Sequence, residues 1–140
     1  MHESQFDLIV CGGGMVGASL VAALAPSAKS LGLKIALIEQ SPMKAKPNPE
    51  FQPSFDARST ALAFGSRTAF ESMGIWKLLS EHLTPIDRIH VSDKGRWGQT
   101  TMSAEQERVD ALGYVVENQW LGQVLMSSVL AARDHVELYS

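Results

Sequence analysis

Cysteine is nearly missing from this chain: Cys11 is the only one among 140 residues. That excludes an internal disulfide and suits a reducing compartment such as the cytoplasm. As a residue closing an apolar run, Cys11 is expected to be a small buried hydrophobe at a strand end. Histidine is scarce too, and His2, His82, His90 and His135 share no metal-ligand spacing, so no metal site is expected. The 12 Lys and Arg residues are outnumbered by 15 Asp and Glu, for a net charge of −3, and they are scattered. Without a basic stripe or block, nucleic-acid binding is excluded as a leading reading. No long apolar run is uninterrupted either. Leu8 to Ala25 comes nearest, but three adjacent glycines break it and the preceding residues carry acid, which excludes a membrane span and a signal peptide. Repeats and low-complexity segments are absent.

What is there is a glycine-rich bend in a strand-to-helix setting. Leu8 to Cys11 reads as a buried strand, and Gly12, Gly14 and Gly17 supply Gly-x-Gly-x-x-Gly where it turns into a helix rich in Ala, Val and Leu. In such a motif one glycine makes the tight turn, one lets backbone approach a pyrophosphate, and one lets the helix pack closely on the strand. The helix start would add free N–H groups and a positive dipole end. Lys34 to Glu39 reads as a second parallel strand, ending on an acid about 20 residues beyond the motif, the spacing of a ribose-binding carboxylate. That carboxylate would accept from two hydroxyls and repel a 2′-phosphate, which disfavours NADP at this seat. The alternative is a plain strand–turn–helix with a solvated Glu39.

Farther along, Pro26 should end or kink the first helix. Ser41 to Phe55 reads as a long loop, holding Pro42, Pro47, Pro49 and Pro53. Asp56 to Met73 has helical spacing, with Asp56 as cap, Gly74 as stop and Arg58 in the first turn. A cation there gains nothing from the dipole. It is either a plain surface arginine or one that meets a bound phosphate. Ile75 to His82 reads as a short helix closed by Pro85. Ile86 to Ser92 and Trp97 to Met102 read as a hairpin in a separate antiparallel sheet. Glu105 to Asp110 is connecting chain and Gly113 to Val116 a short strand. Asn118 looks like the cap of a helix running to about Arg133, with Leu121, Leu125 and Val129 on its core face. Val136 to Tyr139 closes the pattern as another parallel strand. The expected fold class is α/β: a Rossmann-like parallel βαβ unit with an inserted antiparallel hairpin, incomplete at its C-terminus because a parallel sheet needs cover on both faces.

These residues resemble the N-terminal part of the FAD-dependent aromatic hydroxylases, the para-hydroxybenzoate-hydroxylase-like class, and within it the ubiquinone-biosynthesis branch. The resemblance is carried by Gly12 to Gly17, by Phe55-Asp-Ala-Arg-Ser-Thr-Ala-Leu62, by Gly74-Ile-Trp76, by Ile89-His-Val-Ser-Asp-Lys-Gly95 and by Leu112-Gly-Tyr-Val-Val-Glu-Asn118. It implies that residues 1–140 are the N-terminal part of an FAD-binding domain, with 85–112 inserted toward a substrate domain. It implies that Gly12, Gly13, Gly14, Met15, Val16 and Gly17 hold the FAD pyrophosphate and that Glu39 holds the adenosine ribose. Arg58 would reach the cofactor, and Asn118 falls where relatives carry an Arg or Gln near the ribityl–phosphate region, here as a neutral amide. The implied activity is hydroxylation of a polyprenylated phenol by O₂, with NAD(P)H as electron donor. The flavin carries the hard chemistry, so no triad or acid–base pair is expected and no catalytic residue is assigned. The ribityl-binding Gly-Asp segment of the class has no counterpart here, so the 140 residues alone are expected to bind FAD weakly and turn over nothing. The greasy substrate implies a cytoplasmic protein peripheral to the inner membrane or part of a biosynthetic complex, although no amphipathic anchor is visible. Two other readings share the same residues: a different FAD- or NAD-dependent oxidoreductase, and a non-catalytic nucleotide-binding module.

Overall fold

The computed structural model describes residues 5–41 and 55–140. Most of the predicted long loop from Ser41 to Phe55 therefore lies outside the described residues. β1 (Leu8–Cys11), β2 (Ile35–Ile38) and β8 (Val136–Tyr139) form a parallel sheet in the order β1-β2-β8. The intervening α1 (Met15–Leu31) and α5 (Asn118–Ala131) pack on each other across one face of it. Ala18, Val21 and Ala22 of α1 meet Leu121, Leu125 and Val129 of α5 over Val10, Ile35, Leu37 and Val136. Small residues on α1 let the helices approach, while the branched residues of the strands fill the space beneath.

Strand alternation puts Ile9, Cys11, Ile38 and Tyr139 on the other face, and all four are exposed among the described residues. Cys11 is thus not the buried hydrophobe its sequence setting suggests, because Val10 beside it takes the inward position. A second correction concerns Pro26, which does not end α1. The helix continues through it to a left-handed cap at Gly32 (φ 68°), whose N–H reaches the Ala28 carbonyl. Pro26 itself is exposed, on the side away from the core, so its ring does not displace core packing.

The segment after Asp56 departs furthest from its helical spacing. Ser59–Ala63 is a strand, β3, and only Phe64–Ser72 is helical, as α2. β3 pairs antiparallel with β7 (Gly113–Glu117), setting Thr60 opposite Val116, and β4 (Thr84–Ile86) pairs with the other edge of β7. Pro85 does not close the preceding helix but sits in edge strand β4, where a missing N–H is tolerated. Gly74 stops α2 as expected, with φ 73° just beyond the cap, and α3 (Trp76–Ser80) follows. Arg67 ties α2 to this sheet. It donates to Glu71 Oε1 (2.8 Å), Asp110 Oδ2 (3.1 Å) and the Tyr114 hydroxyl (3.2 Å), and its guanidinium lies 5.6 Å from the Trp76 ring. Those partners, the Glu71 carboxylate foremost, raise its pKa further above the ordinary arginine range.

β5 (Arg88–Ser92) and β6 (Gln99–Ser103) form the predicted hairpin as a two-stranded antiparallel sheet of their own. The charged connection after it contains one helical turn, α4 (Ala104–Glu107), capped by the Ser103 hydroxyl. No helix among the described residues is long and apolar enough to cross a membrane.

Candidate functional site

The glycine bend joins the C-terminal ends of β1 and β2. Gly12 has φ 99°, a left-handed conformation that side chains rarely adopt, and its N–H donates to the Ile38 carbonyl at 2.7 Å. Gly17, one turn into α1, lies so close to the bend that a Cβ there would collide with the Gly12 carbonyl oxygen. α1 is preceded by Gly14, a cap residue with no side chain to offer, and has no acid in its first turn, so its leading N–H groups have no side chain of their own helix to satisfy them.

Glu39 follows β2 directly and turns toward this bend. Its Oε2 accepts the Gly13 N–H at 2.6 Å and its Oε1 accepts the Ser41 N–H at 3.0 Å, while its own N–H holds the Tyr139 carbonyl at 2.8 Å. Carboxylate and glycine bend are therefore one continuous surface, and each carboxylate oxygen keeps a lone pair for a further donor.

Arg58 and Asn118 form a second group. Antiparallel pairing of β3 with β7 sets Ser59 opposite Glu117, and the Asn118 N–H donates to the Arg58 carbonyl at 2.8 Å. Arg58 therefore precedes a strand and is not in the first turn of a helix. Asn118 is the first residue of α5 rather than its cap, a place taken by Glu117. Asn118 is the one buried polar residue among the described residues, 4% exposed, and both ends of its amide are engaged. Its Nδ2 donates to Asp56 Oδ1 (3.2 Å) and its Oδ1 accepts from the Thr60 hydroxyl (2.6 Å). Asp56 in turn accepts from the Arg58 N–H (3.0 Å) and from Arg58 Nε (2.6 Å). The Arg58 N–H, ahead of partial burial that opposes it, holds the Asp56 carboxyl below the ordinary carboxylate range, with the Arg58 guanidinium and the Asn118 amide acting the same way.

Topology brings the two groups to one edge. β1, β2 and β8 are parallel, α1 leaves β1 at their C-terminal edge, and α5 returns to the start of β8, so Asn118 at its head lies at the edge occupied by the glycine bend and Glu39. In open α/β sheets this is the edge at which ligands bind. A groove lined by Phe6, Asp7, Gly32 and Lys34 sits at the opposite edge and contains none of these residues. Among the described residues no group of three His, Cys, Asp or Glu could hold a metal. Sequence spacing pointed to Gly12–Gly17 and Glu39, and the family resemblance to Arg58 and Asn118, but neither pointed to Asp56 or Thr60 as their partners. An acid two residues before Arg58 is a signal for a local side-chain turn, whereas Thr60 carries none.

No family model matches the chain. In sequence it is 28% identical over 134 residues to the mitochondrial ubiquinone biosynthesis monooxygenase COQ6 of Xenopus tropicalis, covering 95% of this chain and 28% of that protein. It is 34% identical over 117 residues to the ubiquinone hydroxylase UbiM of Neisseria meningitidis, covering 80% and 24%. This is a family-level match to ubiquinone-biosynthesis monooxygenases. The chain spans only about a quarter of the length of those monooxygenases. In fold it resembles p-nitrophenol 4-monooxygenase PnpA of Pseudomonas putida, with a TM-score of 0.68 and 15% identity over 98% of this chain and 32% of that one. The flavin-dependent monooxygenase PieE, solved with FAD and substrate, gives a TM-score of 0.65 and 15% identity over 99% and 24%. The α/β fold, with its parallel and antiparallel sheets, thus resembles part of the larger fold of these two monooxygenases.

Proposed function

We propose that this chain is the N-terminal FAD-binding portion of a monooxygenase that hydroxylates a polyprenylated phenol ring in ubiquinone biosynthesis. Within that branch it reads most like a 2-polyprenyl-6-methoxyphenol hydroxylase. The observation that carries the proposal is the Glu39 carboxylate resting on the Gly13 amide beside an uncapped helix start. A diphosphate needs fixed N–H donors and a ribose needs a fixed acceptor, and here the two are adjacent.

The residues present fit FAD. The diphosphate would rest on the bend from Gly12 to Gly17, received by the main-chain N–H groups of Gly14, Met15, Val16 and Gly17, while Gly12 and Gly13, whose N–H groups already go to Ile38 and Glu39, shape the bend and the bare Gly17 lets α1 pack against it. Glu39 would accept the adenosine ribose hydroxyls with its remaining lone pairs, and Arg58 would offer its guanidinium to an anionic part of the cofactor. Bound FAD, reduced by NAD(P)H, supplies the chemistry that puts an oxygen atom of O₂ on an electron-rich ring. The chain's own part is to bind and orient the nucleotide, and we assign no catalytic residue within it. Residues 85–112 would extend toward the substrate, and a greasy substrate would bring the whole protein to a membrane surface or a biosynthetic complex.

The test is NAD(P)H-dependent turnover by the complete protein with a short-chain polyprenylated phenol. A hydroxylated phenol with matched NAD(P)H and O₂ consumption is expected. A dehydrogenase would consume nicotinamide without O₂, and a non-catalytic module would consume neither.

A further inference from the structure

Arg58 and Asp56 make a close ion pair, 2.6 Å from Nε to Oδ2, yet the Arg58 side chain is 80% exposed. An exposed pair of this kind contributes little to folding. Asn118 is nonetheless buried, and its amide is committed to Asp56 on one side and Thr60 on the other. A buried amide serving the partner of an exposed arginine makes sense if the arginine's direction matters. Asp56 takes the inner nitrogen of the guanidinium, and among the described residues the two terminal nitrogens have no hydrogen-bonded partner. The fork is therefore anchored at its base with its tips outward, at the sheet edge that carries the glycine bend.

We propose that Asp56 and Asn118 are positioning residues that set the Arg58 guanidinium in advance for an anionic group of the bound nucleotide. This rests on the nucleotide-binding reading above. Asn118 acts at two removes: Thr60 fixes its amide, the amide fixes the Asp56 carboxylate, and the carboxylate holds Nε. The gain is entropic, since a long arginine side chain ordered before binding loses less freedom when the ligand arrives. Asn118 itself need not touch the ligand, because both ends of its amide are occupied.

The test is a double-mutant cycle on the complete protein, with FAD affinity read by flavin fluorescence and folding by thermal melts. Asp56→Asn and Asn118→Ala should each weaken FAD binding roughly three- to tenfold, the scale of immobilising one rotamer-rich side chain. In an Arg58→Ala background both losses should vanish, because there is then nothing left to position. Should Asn118→Ala melt the fold, the Asp56→Asn arm decides alone. An equal loss in both backgrounds, or no loss in either, overturns the positioning role while leaving FAD binding intact. A wild-type protein that takes up no FAD overturns the nucleotide-binding reading, and this role with it.

Discussion

The Glu39 carboxylate accepts the Gly13 main-chain N–H at 2.6 Å, joining the end of the second strand to the bend after the first. The contact is partly buried and spans 26 residues of sequence. Hydrogen bonds to a charged acceptor are worth about 1.5–3 kcal/mol, more than neutral ones. Glu39 thus shapes the bend as well as lining the proposed ribose position.

Replacing Glu39 by Gln removes the charge and keeps the size. On the scale of a charge-assisted hydrogen bond, FAD affinity of the complete protein should fall roughly ten- to a hundredfold. Fluorescence titration measures it, and an unchanged Kd would remove Glu39 from the site.

Two glycines should respond with opposite sign to alanine. At Gly17 a Cβ meets the Gly12 carbonyl, so Gly17→Ala should cost about 1–3 kcal/mol as an overpacked contact. At Gly65, exposed in α2, a Cβ meets nothing within 4 Å, and Gly65→Ala should stabilise by about 0.5 kcal/mol through the helix backbone. Urea melts of both variants check the pair: a Gly17→Ala protein as stable as wild type would contradict the packing of α1 on the bend, and a destabilised Gly65→Ala protein would contradict the open space at α2.

Leu125 is fully buried where α5 meets α1 and the sheet. Leu125→Ala should cost about 2–5 kcal/mol through lost burial and the cavity left behind. A loss under 1 kcal/mol in the same melts would mean that this helix pair is not the core.

Asp56 makes a pH prediction whose direction follows from its lowered pKa. Its ionised form is favoured in the folded protein, so its contribution is complete above the ordinary value of 3.8 and is lost as pH falls through the lower folded value. The stability difference between wild type and Asp56→Asn should therefore be level from neutral pH to about pH 5 and shrink in stronger acid. A difference that grows on acidification would reverse the assignment.

How much of this was legible beforehand depended on whether partners were near in sequence. The glycine bend, Glu39 and the apolar stripe of α5 are local patterns, and they lie where their spacing put them. Asp56-Ala-Arg-Ser-Thr-Ala-Leu-Ala read as helix because its alanines and leucine favour one. It forms β3 because β7, far along the chain, offers a strand with Thr60 against Val116, and that pairing overrides local propensity. The same nonlocality hid the partners of Asn118, because Asp56 and Thr60 stand 62 and 58 residues away. Pro26 misled differently: a proline rule holds for backbone in isolation, whereas α1 is held on both sides of Pro26 by Val21, Ala22 and Ala28 in the core.

The measurement that bears most directly on the central claim is the visible spectrum of the complete protein, purified and then incubated with FAD and freed of excess. Flavin absorbance at about one FAD per chain in wild type, lost or much reduced in Gly17→Ala and Glu39→Gln variants that still fold, is the expected result. A wild-type protein that stays colourless after incubation, or variants that retain FAD as tightly as wild type, would contradict it.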